Sequence, residues 1–209
     1  MRFEDWEPLY LAILDDLGFS READEEAAAL LQSLLLGRED ILDRIDERVR
    51  GRDVVVCGNA PSLEEELEGL LVGERSILAA DGAAAVLLRC GIVPDVLVTD
   101  LDGPIEAILE ADRRGALVVV HAHGDNQDAL RRYVPLLGGV LGTAQCRPPE
   151  GLYNFGGFTD GDRCVFLARE LGAASIHLVG FDLDDESVTP RKRRKLAWAR
   201  RLIGIALDG

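Results

Sequence analysis

Two acidic clusters, Asp81-Gly82 and Thr99-Asp100-Leu101-Asp102-Gly103, each follow a short apolar run and each end on a glycine. Mg²⁺ takes oxygen ligands, usually one or two carboxylates, and completes its shell with water and substrate phosphates. Asp81, Asp100 and Asp102, delivered by neighbouring strand ends, therefore read as a Mg²⁺ site for a nucleotide phosphate. The plainer alternatives are a turn at Asp81 and an N-cap at Asp102 with Pro104 behind it. Three such acids together weigh toward the metal.

Other stretches offer groups that would serve the same chemistry. In Gly58-Asn59-Ala60-Pro61-Ser62 the glycine permits close backbone approach, and the start of a following helix presents free N–H groups to an anion. Gly58, Asn59 and Ser62 are thus phosphate-contact candidates, although Ser62 and Glu65 also have the spacing of a capping box. The histidines of His121-Ala122-His123-Gly124-Asp125-Asn126 share one face of an extended segment. A zinc pair would need a third nitrogen or sulfur ligand that the neighbouring sequence does not offer. Phosphate contact or proton transfer is the other reading, with Asp125 as a further ligand or a helix cap. Asn154-Phe155-Gly156-Gly157-Phe158-Thr159-Asp160-Gly161-Asp162-Arg163 is rich in glycine and polar groups, which suggests a backbone close to a ligand. Arg163 is a phosphate candidate there, and Phe155 and Phe158 either flank a planar ring or pack locally. The basic run Arg191-Lys192-Arg193-Arg194-Lys195 aligns Lys192 with Lys195 one helical turn apart. It is either a solvated face or counter-charge for a polyphosphate.

An α/β scaffold would place these groups. Short β-branched runs at Val54–Cys57, Ser76–Ala79, Val96–Thr99, Leu117–His121, Val140–Gly142 and Ile176–Val179 are apolar throughout, as parallel strands covered on both faces are. Helical segments fall between them at 63–71, 83–90, 104–114, 126–134 and 160–171, and a last one covers 190–207. The pattern predicts a doubly wound, mainly parallel, Rossmann-like sheet with its ligand at the carboxyl ends of the strands. Residues 1–50 read as an N-terminal helical region: an apolar face of Phe3, Trp6, Leu9, Ile13 and Leu17 stops at Gly18, and Ser20 caps a second helix that ends near Gly37. A third runs from Glu39 to Val49, and residues 51–209 form the α/β domain.

Composition sets the outer limits. The 209 residues suffice for one substantial core, and a net charge of −15 argues against nucleic-acid or anionic-membrane partners. Cys57, Cys90, Cys146 and Cys164 form no C-x-x-C pair, which suits a reducing cytoplasm, and no apolar stretch approaches the ~20 residues that span a bilayer.

The strings Ala79-Ala80-Asp81-Gly82-Ala83, Gly91-Ile92-Val93-Pro94-Asp95 and Val98-Thr99-Asp100-Leu101-Asp102-Gly103 resemble the archaeal 6-hydroxymethyl-7,8-dihydropterin pyrophosphokinase family. So do the His121–Asn126 block, Gly142-Thr143-Ala144-Gln145 and the Asn154–Arg163 block. The acidic pattern is also similar to that of thiamine pyrophosphokinases, though Thr99-Asp100 stands where those usually carry Gly-Asp. A more distant likeness reaches nucleotide-sugar transferases and other nucleotide binders. The resemblance implies transfer of diphosphate from ATP to the pterin hydroxymethyl group with release of AMP. It implies Mg²⁺ on Asp81, Asp100 and Asp102, nucleotide phosphates on Gly58, Asn59 and Ser62, and Lys192 and Lys195 closing over them. Asp125 would take the alcohol's proton near His123. Asn154, Asp160 or Gln145 would face the aminopyrimidinone edge, with Gly156, Gly157 and Arg163 completing the site. A homodimer through the N-terminal helices stays open.

Overall fold

The computed structural model describes residues 1–68 and 75–208. Six parallel strands form one sheet: β1 (Asp53–Cys57), β2 (Ser76–Ala80), β3 (Val96–Thr99), β4 (Leu117–Ala122), β5 (Val140–Ala144) and β6 (Ser175–Val179). Their order is β5-β4-β3-β2-β1-β6. Every residue of β2 to β5 is buried, which is why these strands read as unbroken apolar runs and not as alternating ones. Each expected strand is present, and β5 continues past Gly142 to Ala144.

The strand order fixes the layers. From β1 to β5 the sheet grows in one direction, so right-handed crossovers put α4 (Leu63–Glu68), α5 (Ala83–Arg89), α6 (Ile105–Arg113) and α7 (Gln127–Tyr133) on one face. The end of the helix expected over 63–71 lies outside the described residues. The return from β5 to β6, on the far side of β1, reverses direction. It brings α8 (Asp160–Glu170) onto the opposite face, across β1, β2 and β3 and against α9 (Pro190–Asp208). The sheet is therefore doubly wound, and its topological switch lies between β1 and β6.

The N-terminal helices are α1 (Phe3–Leu17), α2 (Arg21–Leu35) and α3 (Leu42–Val49). Gly18 ends α1 in the left-handed region at φ 72°, and Ser20 Oγ caps α2 by accepting the Ala23 N–H. The third helix starts at Leu42 and not at Glu39, because Asp40 Oδ1 takes the Leu42 N–H and fixes the turn before it. Trp6, Ile13, Leu31 and Ile45 belong to the same buried cluster as Val55, Leu97 and Val119. Residue 51 thus marks a change from helix to strand inside one continuous core. Against β5, α2 packs so closely that a Cβ on Gly142 would lie 2.7 Å from Leu35 Cδ1.

Candidate active site

The carboxyl ends of β2 and β3 deliver Asp81 and Asp100, and the first turn of α8 delivers Asp160 from the opposite face. One oxygen of each lies within 4.8 Å of the others. Asp81 is buried; its Oδ2 accepts the Thr99 hydroxyl at 2.6 Å and the Gly103 N–H at 3.3 Å, while Oδ1 has no partner. A Cβ on Gly103 would overlap that Oδ1 atom, so only glycine lets the loop close over the carboxylate. Asp100 Oδ2 is 3.2 Å from His123 Nε2, and Asp160 Oδ1 accepts Arg163 Nη1 at 3.0 Å.

The electrostatics divide the three acids. Burial opposes the charge on Asp100, but the His123 hydrogen bond and the Arg163 charge outweigh it and hold its carboxyl well below the ordinary range. Burial pushes Asp81 up to about 6 and raises Asp160 well above the usual carboxylate range, and repulsion from Asp100 adds to both. Two carboxylates held up in this way, one with an orphaned buried oxygen, form an all-oxygen set short of positive charge. A hard divalent cation fits that set.

The set differs from the expected one at one position. The chain turns at Leu101, whose side chain is buried and whose φ is 66°, and leaves Asp102 exposed beside Asp100. Asp160 takes the third place instead. Among the described residues no nitrogen or sulfur joins the group. His121 is fully buried, with Nδ1 on Thr143 Oγ1 at 3.0 Å, and burial keeps its ring neutral.

Two clefts open on either side of the acids. The smaller, ≈ 200 Å³, lies at the β1/β6 switch and is lined by Gly58, Asn59, Gly161, Gly180, Phe181 and Lys192. Here backbones pass at close range: a Cβ on Gly58 would lie 2.5 Å from the Gly180 carbonyl oxygen, and one on Gly82 would strike the Asn59 side chain. The larger, ≈ 360 Å³, is bounded by Phe19, Asp24, Asp100, Asp125, Phe158 and Lys195 among others. The Phe19 and Phe158 rings stand 6.1 Å apart, with Lys195 Nζ within 6 Å of both.

Gly58, Asn59 and Lys192 thus line one cleft, while His123, Asp125, Gln145, Arg163 and Lys195 line the other. Lys192 and Lys195 part company, because residues four apart share a helix face more closely than residues three apart. Lys195 lines the larger cleft together with Arg191, four residues before it on the same helix. Ser62 is not among the cleft-lining residues, and among the described residues no side-chain hydrogen bond joins it to Glu65.

Asn154, Gly156 and Gly157 line neither of these two clefts. The Asn154 amide donates to the carbonyls of Ala144 and Gln145 and accepts the Gly156 N–H, so its polar atoms are engaged with main chain. Gly156 and Gly157, at φ 93° and 91°, pass over α8, where a Cβ would meet the Phe166 ring or Arg163. With Asn154 they border a cavity of only ≈ 20 Å³, too small for any ring. Of the two phenylalanines Phe158 reaches a cleft, whereas Phe155 stacks on Tyr153 at 5.8 Å.

Asp24, Phe19 and Tyr10 were not singled out by the sequence. Asp24 is 2% exposed: Oδ2 accepts from Tyr10 Oη at 2.7 Å and Gln145 Nε2 at 2.8 Å, and Oδ1 from the Gly124 N–H at 2.9 Å. Its signal was in the sequence, because Asp24 shares a helix face with Ala27, Ala28 and Leu31, which are all core residues.

A family model described as 6-hydroxymethylpterin diphosphokinase MptE-like matches residues 29–187. A protein of Methanothermobacter thermautotrophicus named 6-hydroxymethyl-7,8-dihydropterin pyrophosphokinase is 47% identical, over 97% of this chain and 94% of that one. Proteins of the same name from Pyrococcus furiosus and Methanocaldococcus jannaschii are 44% and 39% identical, over 97% and 100% of this chain and 93% and 97% of theirs. Among solved structures, the MAf glycosyltransferase of Magnetospirillum magneticum AMB-1 superposes with a TM-score of 0.57 at 18% identity. That match covers 92% of this chain and 35% of that one, a likeness of fold.

Proposed function

The chain belongs to the MptE-like 6-hydroxymethylpterin diphosphokinase family, and from that premise we propose that it transfers the β,γ-diphosphate of ATP to 6-hydroxymethyl-7,8-dihydropterin, with Mg²⁺ held by Asp81, Asp100 and Asp160. In this reaction the hydroxymethyl oxygen bonds to the β-phosphorus and the bond from that phosphorus to the α,β-bridging oxygen breaks. AMP leaves with the bridging oxygen, and the alcohol gives up its proton. The observation that supports this reading best is the carboxylate trio, of which Asp100 lines the larger cleft while Ala80, Thr159 and Gly161, the chain neighbours of the other two, line the smaller.

Little covalent work is left to the protein in such a transfer, which depends on alignment and on neutralising charge. When bound, Mg²⁺ supplies positive charge to the phosphate oxygens. Arg163 orients Asp160, and His123 orients Asp100. His123 has both ring nitrogens engaged, Nε2 on Asp100 and Nδ1 accepting the Asp125 N–H at 3.3 Å, so its role is positioning. Exposed in the larger cleft, Asp125 is placed to accept the alcohol's proton. Lys192 and Lys195 supply counter-charge from the two sides.

Incubation with ATP, Mg²⁺ and the pterin alcohol is expected to yield AMP and the pterin diphosphate in equal amounts. Formation of ADP instead of AMP, or turnover with thiamine but not with the pterin, would overturn the proposal.

A further inference from the structure

The N-terminal helices build a wall of the site, and the larger cleft runs beneath their junction. Gly18 turns the chain out of α1, Phe19 then enters the cleft, and the first turn of α2 brings Asp24 to its floor. The fit is tight: a Cβ on Gly124 would lie 2.6 Å from Ala23 Cβ, so the loop after β4 is pressed against α2. Trp6 Nε1 donates to the Gln145 carbonyl at 2.8 Å, and Asp24 holds the Gln145 side chain, whose Oε1 receives Arg163 Nη2 at 3.4 Å. From the other side, α9 is tied to the end of α1 by Arg194 on the Asp16 carbonyl at 2.7 Å and Trp198 Nε1 on the Asp16 carboxylate at 2.9 Å.

The two clefts differ in what they can recognise. The one at the β1/β6 switch has three glycines, a single aromatic ring, Phe181, the carboxylates Asp182 and Asp185, and one cation from α9, Lys192. The larger has two aromatic rings, a buried carboxylate and the cations Arg163, Arg191 and Lys195. A carboxylate has about four acceptor positions, and Asp24 uses one on Oδ1 and two on Oδ2. One position on Oδ1 therefore stays available to a ring N–H or amino group. The reaction also leaves the β,γ-diphosphate attached to the acceptor, so the acceptor's cleft must hold both a flat ring and two phosphates. The greater volume and the α9 cations Arg191 and Lys195 suit that load, since Arg163 is already paired with Asp160; the smaller cleft suits a nucleoside monophosphate.

Resting on the diphosphokinase reading above, we propose that the cleft beneath the α1–α2 junction is the acceptor pocket, in which Phe19 and Phe158 pack on the pterin ring and Asp24 receives its amino edge, while the nucleoside of ATP occupies the β1/β6 cleft. The N-terminal helices are then the part of the fold that selects the acceptor, and Phe19 is a specificity-determining residue.

Phe19→Ala in the full chain tests this through the split between the two Michaelis constants. KM for the pterin alcohol is expected to rise about 10-fold, which is about 1.4 kcal/mol, with KM for ATP within about 2-fold of wild type, because the lost aromatic contact is made to the acceptor alone. Phe19→Tyr is expected to restore the acceptor KM. Phe19→Trp gives a second reading independent of turnover: the emission it adds to that of Trp6 and Trp198 in wild type is quenched by the pterin alcohol alone and not by AMP. A rise in the ATP KM, an unchanged acceptor KM, or quenching by AMP overturns the assignment. Failure of the wild-type enzyme to form AMP would instead sink the functional reading on which it rests.

Discussion

Replacing Asp81 with Asn distinguishes a carboxylate kept for a cation from one kept for the fold. Burial, with repulsion from Asp100 and Asp102, raises its carboxyl from 3.8 to about 6, despite hydrogen bonds from Thr99 and Gly103. At ~1.4 kcal/mol per pH unit this shift is about 3 kcal/mol. Because the folded value is the higher one, the protonated group favours the fold fully below 3.8, and that contribution is lost as pH rises through about 6. At about pH 7.5 without divalent cation, the ionised carboxylate therefore opposes folding by up to about 3 kcal/mol. Asp81→Asn keeps the shape and one acceptor for the Thr99 hydroxyl, and relieves that penalty. For a chain of this size ~1 kcal/mol moves Tm by about 2–4 °C, so the variant should melt several degrees higher than wild type in EDTA at about pH 7.5. The gain should vanish at about pH 4. Mg²⁺ should invert the order, raising the wild-type Tm and leaving the variant unmoved, since a ligand stabilises only the state that binds it. Calorimetric scans in EDTA and in Mg²⁺ across this pH range read both effects. A variant that melts lower than wild type in EDTA at neutral pH, or one that Mg²⁺ stabilises as much as wild type, would refute the reasoning.

Gly103→Ala places a Cβ on the Asp81 oxygen, and displacement of that carboxylate should lower kcat by about 100-fold while far-UV circular dichroism stays native. Retained turnover would show that the loop relaxes without cost to the site. His123→Asn removes the leading interaction that holds the Asp100 carboxyl down, so the acid limb of the kcat–pH profile should move to higher pH. An unmoved limb would place the group that controls it elsewhere.

The sheet was legible because its physics is local: strands buried on both faces, as β2 to β5 are, read as apolar runs, and the half-buried edge strand β6 still offers Ile176, Leu178 and Val179. Asp81 and Asp100 were legible for a related reason, since a polar residue just beyond such a run sits at a strand end. Asp160 was visible as a polar residue but not as a partner of those two. Its place depends on the reversal of direction after β5, which carries α8 to the other face and returns its first turn to the same edge. The Gly156-Gly157 pair reports close approach without saying to what, and in the fold the neighbour is α8. Asp24 was hidden among the acids expected in a helix's first turn, and only its place on the apolar face set it apart.

A chain of net charge −15 that handles a polyanion needs its attraction to be local. At physiological ionic strength charges more than about 8 Å apart are largely screened, so the surface acids matter little at the site and the groups within it decide. There the arrangement is self-limiting. The trio repels itself until a cation is added, and Arg163 already answers Asp160, which leaves Arg191, Lys192 and Lys195 of α9 for the phosphates. That helix lies against α8 and is also tied to Asp16 at the end of α1. The helices that wall the larger cleft thus also position the charge that a transferred diphosphate would meet, so acceptor recognition and diphosphate binding share one mechanical support.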